Sequence, residues 1–387
     1  MNPRLLLSIF LLLTNIGWQK AMAQQTLTDS LRNRAHQEVL DSLRRENVGV
    51  ALSKAISISG YLEVYFSYDF AKPKNHLRQP FAYSHNRHNQ FNVNLGVVKL
   101  ALNKERVRAN IALMLGTYSS DNLADEPSVL KNIYEANVGL RLARRHAIWL
   151  DAGVMPSHIG FESAIGKDCW NVTRSILADN TPYYETGVRL SYTSANEKWY
   201  ISGLLVNSWQ RIYRPDGSNF PAFGHQLTFH PNSNITVNSS SFFGFMGKSG
   251  SGVWRLFHNA YVQAQLHEKV GLIAGFDIGA QQKKNGSSNY SLWYTPIAIL
   301  RITPLKQLAL AARAEYYSDA QGVMIAYATP HGFQTWGYSI NIDYQIWKNV
   351  LWRLEARGFT SRDAVFQLQE KPSANNYFIT TALAVWI

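Results

Sequence analysis

One cysteine, Cys169, is all the chain contains, which excludes an intramolecular disulfide and a thiolate metal site. Long apolar runs are missing too. Beyond the first two dozen residues nothing approaches the roughly 18 apolar residues that a spanning helix needs. From residue 56 onward no stretch repeats with helical period. There is no G-x-S-x-G, no H-E-x-x-H and no glycine-rich phosphate loop, so the common routes to hydrolysis and nucleotide chemistry are closed. These absences point to a chain without cofactor or metal, and not to an enzyme.

What remains is alternation. Sixteen segments of about ten residues alternate in polarity, separated in turn by seven short connections and eight long polar ones. Ile58, Leu62, Val64 and Phe66 share one face of the first segment, Ile56 to Tyr68; Ser59, Tyr61, Glu63 and Ser67 share the other. The same holds for Arg106 to Gly116, Tyr134 to Leu142, Val270 to Gln281, Leu308 to Tyr317 and Trp336 to Tyr344. Asn92 to Leu102 changes phase near Gly96-Val97, which predicts a bulge. In Trp199 to Trp209 the run Leu204-Leu205-Val206 leaves the inward face open. The last segment, Tyr377 to Ile387, runs to the chain end and closes against the first.

Short turns on one side and long loops on the other predict an all-β fold: a closed antiparallel transmembrane β-barrel of about sixteen strands, 56–387, with periplasmic turns and extracellular loops. The long loops fall near 69–90, 118–132, 156–182, 210–224, 246–253, 282–290, 318–332 and 361–375. Aromatics form 13% of the chain and gather at strand ends. Phe66, Tyr68, Phe70, Tyr183, Tyr184, Trp209, Phe243, Phe245, Trp254, Trp293, Tyr294, Tyr316 and Tyr317 mark the loop side; Trp199, Tyr200, Tyr344, Trp347, Trp352 and Trp386 mark the turn side. Two belts at the lipid headgroups are expected. A soluble sandwich would instead gather its aromatics in mid-strand.

The N-terminus agrees. Arg4, an apolar stretch Leu5 to Ile16 and Ala21-Met22-Ala23 read as a signal peptide, residues 1–23, with the mature chain starting at Gln24. Residues 24–55 read as a periplasmic segment with a short amphipathic helix, Thr26 to Asn47. These features place the chain in the cell outer membrane. The partners expected are outer-membrane lipid and lipopolysaccharide, the barrel-assembly machinery and small hydrophilic solutes, with no nucleic acid.

At the strand ends the chain resembles the OmpL-like β-barrel porin family of the outer membrane. Leu150 to Met155 followed by Gly160-Phe161-Glu162, Thr181 to Gly187, Trp209-Gln210, Arg313 to Asp319 and Glu355-Ala356-Arg357 carry the resemblance, in order, across 56–387. Ser208 departs from it, where a glycine is expected before the tryptophan. The resemblance implies a passive pore and brings no substrate with it. A barrel serving mainly as surface adhesin or structural anchor is the alternative, and conductance separates the two.

The formal charge of +12 falls to +10 once Arg4 and Lys20 leave with the signal. A basic chain suggests an anion channel, but the face assignment balances the interior. Arg106, Arg108, Arg141, Arg189, Arg255, Arg301, Arg313, Arg353 and Arg357 point inward against Glu63, Glu135, Asp151, Glu185, Asp277, Glu315, Asp343 and Glu355. Nine against eight fits a salt-bridged ladder along the wall, or signs parted on opposite walls of a constriction. Arg313 and Glu315 lie one hairpin away from Arg353, Glu355 and Arg357 in this reading. The loop from Pro156 to Pro182 is the longest, and it mixes Glu162, Lys167, Asp168, Arg174 and Asp179 with Ile159, Phe161, Ile165, Trp170, Ile176 and Leu177. So many apolar side chains suit a loop folded into the barrel as a constriction, while a lid over the rim is the other reading. His85 and His88 are spaced as H-x-x-H but lie in a polar loop with no acidic partner in sight, so they read as loop histidines. Cys169 reads as an incidental thiol in an outer loop.

Overall fold

The computed structural model describes residue 34 and residues 55–387, apart from 128, 215, 216, 219 and 249. The signal peptide, its cleavage site and the helix expected over Thr26 to Asn47 lie outside the described residues, Arg34 excepted. The chain divides into two units, Met1–Ser57 and Ile58–Ile387, and the account below concerns the second.

Sixteen antiparallel strands close into one barrel. In chain order they are β1 (Ile56–Asp69), β2 (Phe91–Lys104), β3 (Val107–Leu115), β4 (Ile133–Arg141), β5 (Ala147–Pro156), β6 (Tyr184–Thr193), β7 (Trp199–Val206) and β8 (Ala222–Asn232), then β9 (Ile235–Met246), β10 (Val253–His267), β11 (Val270–Gln282), β12 (Tyr290–Leu305), β13 (Leu308–Asp319), β14 (Phe333–Trp347), β15 (Val350–Ser361) and β18 (Asn375–Trp386). A small hairpin, β16 (Phe366–Leu368) and β17 (Lys371–Ser373), stands apart in the last long loop, 361–375. Every barrel strand pairs with its neighbour in sequence. β1 pairs with β18 from Tyr61↔Trp386 to Asp69↔Phe378, and Gly60 and Ile387 exchange two backbone hydrogen bonds below that register. Closure leaves the barrel no open sheet edge, which is the condition for a sheet to lie in hydrocarbon.

The wall is uneven in height. β3 and β4 have 9 residues each and β7 has 8, whereas β10, β12 and β14 have 15, 16 and 15. Alternation sorts the side chains as expected. Leu62, Val98, Ile111, Val138, Leu190, Ile201, Leu300 and Ile340 are exposed on the outside, while Glu63, Asp151, Asp277 and Arg353 are buried inside. In β7, Ser202, Leu204 and Val206 face inward and Leu205 outward, and the strand stops at Val206 instead of reaching Trp209. No register shift marks the bulge expected near Gly96-Val97: β2 pairs regularly with β3 from Gly96 to Lys104, and the change of phase shows only as four successive buried residues, Asn94 to Val97.

The belts are half of what the strand ends promised. Phe276, Tyr294, Tyr316 and Trp336 form a continuous outer row across β11 to β14, Phe243 stacks on Trp254, and Trp199 stacks on Phe229 at the turn side. Tyr184, Trp293, Tyr317 and Phe245 are instead buried, and Trp209 packs on Phe242 and Phe257. Period two gives the reason. Of two adjacent aromatics, such as Trp293-Tyr294 or Tyr316-Tyr317, only one can face lipid. The inward partners build an apolar cluster at the loop end with Phe81, Phe333, Phe359, Phe366 and Phe378.

Candidate functional site

The loop between β5 and β6 folds into the barrel. Residues 171–182 are buried without exception, and the loop carries only a single 3-10 turn (Gly166–Asp168) and one helical turn (Ile176–Asp179), capped by Ser175. A buried segment with so little secondary structure needs partners for its main-chain groups. The charged wall supplies them. Glu355 Oε2 accepts hydrogen bonds from Thr173 N (2.6 Å) and Thr173 Oγ1 (2.8 Å), and Glu315 Oε2 accepts from Ile176 N (2.6 Å). Arg313 donates to Thr173 O at 2.8 Å, Arg357 to Arg174 O at 2.7 Å, and Arg353 to Gly166 O and Cys169 O at 2.6 and 2.8 Å. Val172 N donates to Asn341 Oδ1 at 3.0 Å.

The same wall residues pair with each other: Arg313 with Glu355 (2.8 Å), Arg353 with Asp343 (2.7 Å) and Arg357 with Glu315. β13 and β15 are not joined by one hairpin, as the sequence reading had it. β14 lies between them, and small residues there let the charges reach over it. Gly337 sits between Glu315 and Phe359 in register, where an added Cβ would come within 2.8 Å of the Glu315 side chain.

Two histidines anchor loops to the wall. His158, just past β5, lies 2.7 Å from Glu185 Oε2 through Nδ1 and 2.8 Å from Ser241 O through Nε2. A carbonyl oxygen only accepts, so Nε2 carries a proton; a carboxylate at Nδ1 makes the ring an imidazolium. Burial works against that charge, but Glu185 overcomes it and raises the histidine above its ordinary value. His85 does have an acidic partner, contrary to expectation: its Nε2 is 2.8 Å from Glu63 Oε1. The first long loop dips inside and meets a β1 residue 22 positions earlier in the chain, a contact that local sequence cannot show. Burial holds the His85 ring below its ordinary value despite that carboxylate. His88 accepts from Asp69 N through Nδ1.

The loop candidates divide. Arg174 is fully buried and donates to Ser163 O, Val172 O and Ala164 O, so it ties the loop to itself. Glu162 accepts from Ser175, and Lys167 pairs with Asp168 at 2.7 Å on the more open face. Cys169 lies inside the barrel, not in an outer loop; its Sγ donates to Ser163 O at 3.3 Å and burial pushes the thiol up. Asp179 is buried beside Ser84, and burial lifts its carboxyl to about 7 despite Arg357 and Arg174. Of the remaining wall acids, Asp277 accepts from Asn259, Glu135 pairs with Lys99 at 2.7 Å and Asp151 takes Arg108 Nε at 2.7 Å.

That carboxyl gives a pH-dependent expectation. Asp179 ionises near 3.8 when unfolded and near 7 when folded, so its penalty is absent below 3.8, grows as pH rises and is complete above about 7. Asp179→Asn should therefore match wild type near pH 4 and become more heat-resistant than wild type by pH 8. At about 1.4 kcal/mol per unit the gain is of the order of a few kcal/mol. Band-shift melting on unboiled gels, read across pH, checks it; equal midpoints at pH 8 refute it.

Opposite the loop, several side chains of the wall from β2 to β8 stay partly open. Lys99 and Arg108 side chains are 32% exposed and Arg189 is 21% exposed, with Gln226 and Tyr200 half-buried beside them. A space of about 240 Å³ lies along the loop itself, bounded by Ser157, Phe161, Ser163, Tyr183, Tyr134 and Tyr261, and another of about 340 Å³ lies between Lys99 and Glu135 on the wall and Ile165, Lys167 and Asp168 of the loop.

A closed barrel of sixteen strands, apolar outside and charged inside, with a long loop folded inward, is the architecture of an outer-membrane porin. Solved structures bear this out at the level of fold. An anion-selective porin from Comamonas acidovorans matches with a TM-score of 0.56 at 7% identity, over 86% of this chain and 99% of that one. OmpF of Salmonella typhi, solved with daunomycin, gives 0.57 at 10% identity over 86% and 97%, and OprB of Pseudomonas putida 0.56 at 8% over 87% and 95%. No curated protein matches the sequence. Residues 55–387 match the family described as "Putative beta-barrel porin-2, OmpL-like", and the chain belongs to it. It is an outer-membrane β-barrel porin, a channel by fold and family.

Proposed function

We propose that small hydrophilic solutes diffuse through the gap between the inward loop and the β2–β8 wall, with the loop as the constriction. The observation that carries this reading is the asymmetry of the interior. One part of the wall is consumed in binding the loop, while on the other Lys99, Arg108, Arg141 and Arg189 stay partly exposed beside the buried Glu135 and Asp151. A loop held by so many charge-assisted hydrogen bonds is a fixed wall of the passage rather than a swinging lid. In this reading Lys99, Arg108, Glu135, Arg141, Asp151 and Arg189 line the passage, with Lys167 and Asp168 across from them. Glu63, Glu185, Asp277, Arg313, Glu315, Asp343, Arg353, Glu355 and Arg357 hold the loops, and Glu162, Arg174 and Asp179 set the loop's own shape. The short turns face the periplasm and the long loops the exterior, where lipopolysaccharide would meet them, after insertion by the barrel-assembly machinery.

Purified protein added to planar bilayers should give discrete conductance steps, and in liposomes it should pass small sugars and exclude larger ones. A folded barrel that gives no steps and no swelling would leave the adhesin or anchor reading standing instead.

A further inference from the structure

We propose that this passage conducts small anions in preference to cations, and that a basic field on the β2–β6 wall, formed by Lys99, Arg106, Arg108, Arg141 and Arg189, sets the preference. The inference rests on the diffusion reading above and adds the class of solute. By count the interior is balanced, nine arginines to eight carboxylates. By accessibility it is not. All eight inward acids, Glu63, Glu135, Asp151, Glu185, Asp277, Glu315, Asp343 and Glu355, are buried. Among the nine arginines only Arg255, Arg313, Arg353 and Arg357 are buried; Arg106 is exposed, and Arg108, Arg141, Arg189 and Arg301 are partly open.

The geometry shows how the bases stay uncompensated. Arg108, Gly139, Asp151 and Arg189 lie in one row across β3, β4, β5 and β6. Arg108 reaches over β4 to Asp151, which it can do because position 139 has no side chain: a Cβ there would lie 2.3 Å from Asp151 Oδ1. Arg189 Nη2 approaches the same carboxylate at 3.4 Å. One carboxylate therefore serves two guanidinium groups, and one positive charge is left over. One row toward the turns, Arg106 donates to Arg141 O at 3.0 Å and Arg141 to His146 O at 3.3 Å. Backbone carbonyls orient these two cations without neutralising them. Lys99 is matched by Glu135 at 2.7 Å. Five bases thus stand with three carboxylates on this wall, and one of the three, Glu185, is taken by the His158 ring.

The facing surface does not restore the balance. The loop presents Phe161, Ser163 and Ile165, and its open carboxylate, Asp168, is paired with Lys167. Arg301, over the Trp170 ring at 5.8 Å, adds another cation to the turn-side half. Rim charges such as Lys104, Glu105, Glu197 and Lys198 are of both signs and are screened by salt within about 10 Å. Charges lining a narrow, low-dielectric passage are screened less and govern which ion enters.

Reversal potentials across bilayers in a potassium chloride gradient test this. Wild type should give the sign set by chloride, with a permeability ratio several-fold in its favour. Arg108→Gln with Arg189→Gln leaves Asp151 alone on its row and should reverse the preference. Should that pair fail to fold, Arg106→Gln with Arg141→Gln removes two solvent-facing cations that touch no carboxylate, and the ratio should fall toward unity. Channels that conduct but prefer potassium overturn the anion inference and leave the porin reading intact. Chloride preference unchanged in both variant pairs overturns the assignment to this wall. Absence of conductance from a folded barrel removes the diffusion reading itself, and the inference falls with it.

Discussion

Deleting residues 163–178 should raise single-channel conductance several-fold while the barrel stays closed. The segment fills the half of the interior bounded by β13, β14, β15 and β1, and it contributes no strand to the wall. Its removal strips Gly166, Cys169, Thr173, Arg174 and Ile176 from Arg313, Glu315, Arg353, Glu355 and Arg357. The remaining charges keep one another as partners in the Arg313–Glu355, Arg353–Asp343 and Arg357–Glu315 pairs, and water replaces the lost main-chain groups. A sixteen-stranded barrel without a filling element is wide enough for an aqueous channel. Deletion should also weaken ion selectivity, because the passage would then be too wide for the basic wall to act at close range. Conductance equal to wild type, from a barrel that still shifts on unboiled gels, would place the loop outside the permeation path.

Replacing Glu355 by Ala is expected to cost more stability than any single change on the outer face, about 3–5 kcal/mol. The carboxylate is fully buried and accepts from Arg313 Nη2, Thr173 N and Thr173 Oγ1 at once. Taking it away leaves Arg313 a buried cation whose nearest remaining carboxylates, Glu315 and Glu162, are 3.5 and 3.9 Å off, and it orphans a buried backbone N–H. Glu355→Gln keeps an acceptor and should recover part of the loss, which separates the charge from the hydrogen bond. Loosening of the loop should appear as noisy, flickering conductance in the alanine variant. The outward pair Leu310 and Ala312 offers the contrast: a polar spin label there should report lipid, and a label at Arg313 should not. A melting midpoint within a degree of wild type for Glu355→Ala would refute the anchoring role.

Strand number, loop order and the inward set of charges could be read because a half-buried strand writes its faces into alternate residues. Period two puts Arg313, Glu315, Arg353, Glu355 and Arg357 on the inner phase of their strands, where they are buried. Their partners cannot be read in that way, because a loop without period carries no signal for where its main chain docks. Apolar content marked 156–182 as unlike its neighbours, yet only three-dimensional contact joins Thr173 to Glu355, 182 positions away. The His85–Glu63 pair escaped notice for the same reason. Aromatic counts misled in a different way: composition at a strand end cannot tell a ring facing lipid from one facing inward unless phase is kept through the last residue, and Trp293 and Tyr317 fall on the inner phase. Charge was subtler still. Alternation assigns a residue to the inside but does not say whether it meets water there or another side chain.

The unequal strands have a consequence for the surrounding membrane. At about 3.3 Å per residue and a tilt near 40°, the 8 residues of β7 rise roughly 20 Å along the barrel axis, and the 16 of β12 roughly 40 Å. The apolar band of such barrels is about 25 Å tall. Lipid beside β12 meets a wall taller than its acyl chains, while lipid beside β7 meets one too short for them. The bilayer must then thin around β7, or the barrel must lean until its low side is submerged, at a fraction of a kcal/mol for each ångström of mismatch. Either way the protein shapes the lipid on one side of itself more than on the other, and thickness of the host membrane becomes a variable in its stability.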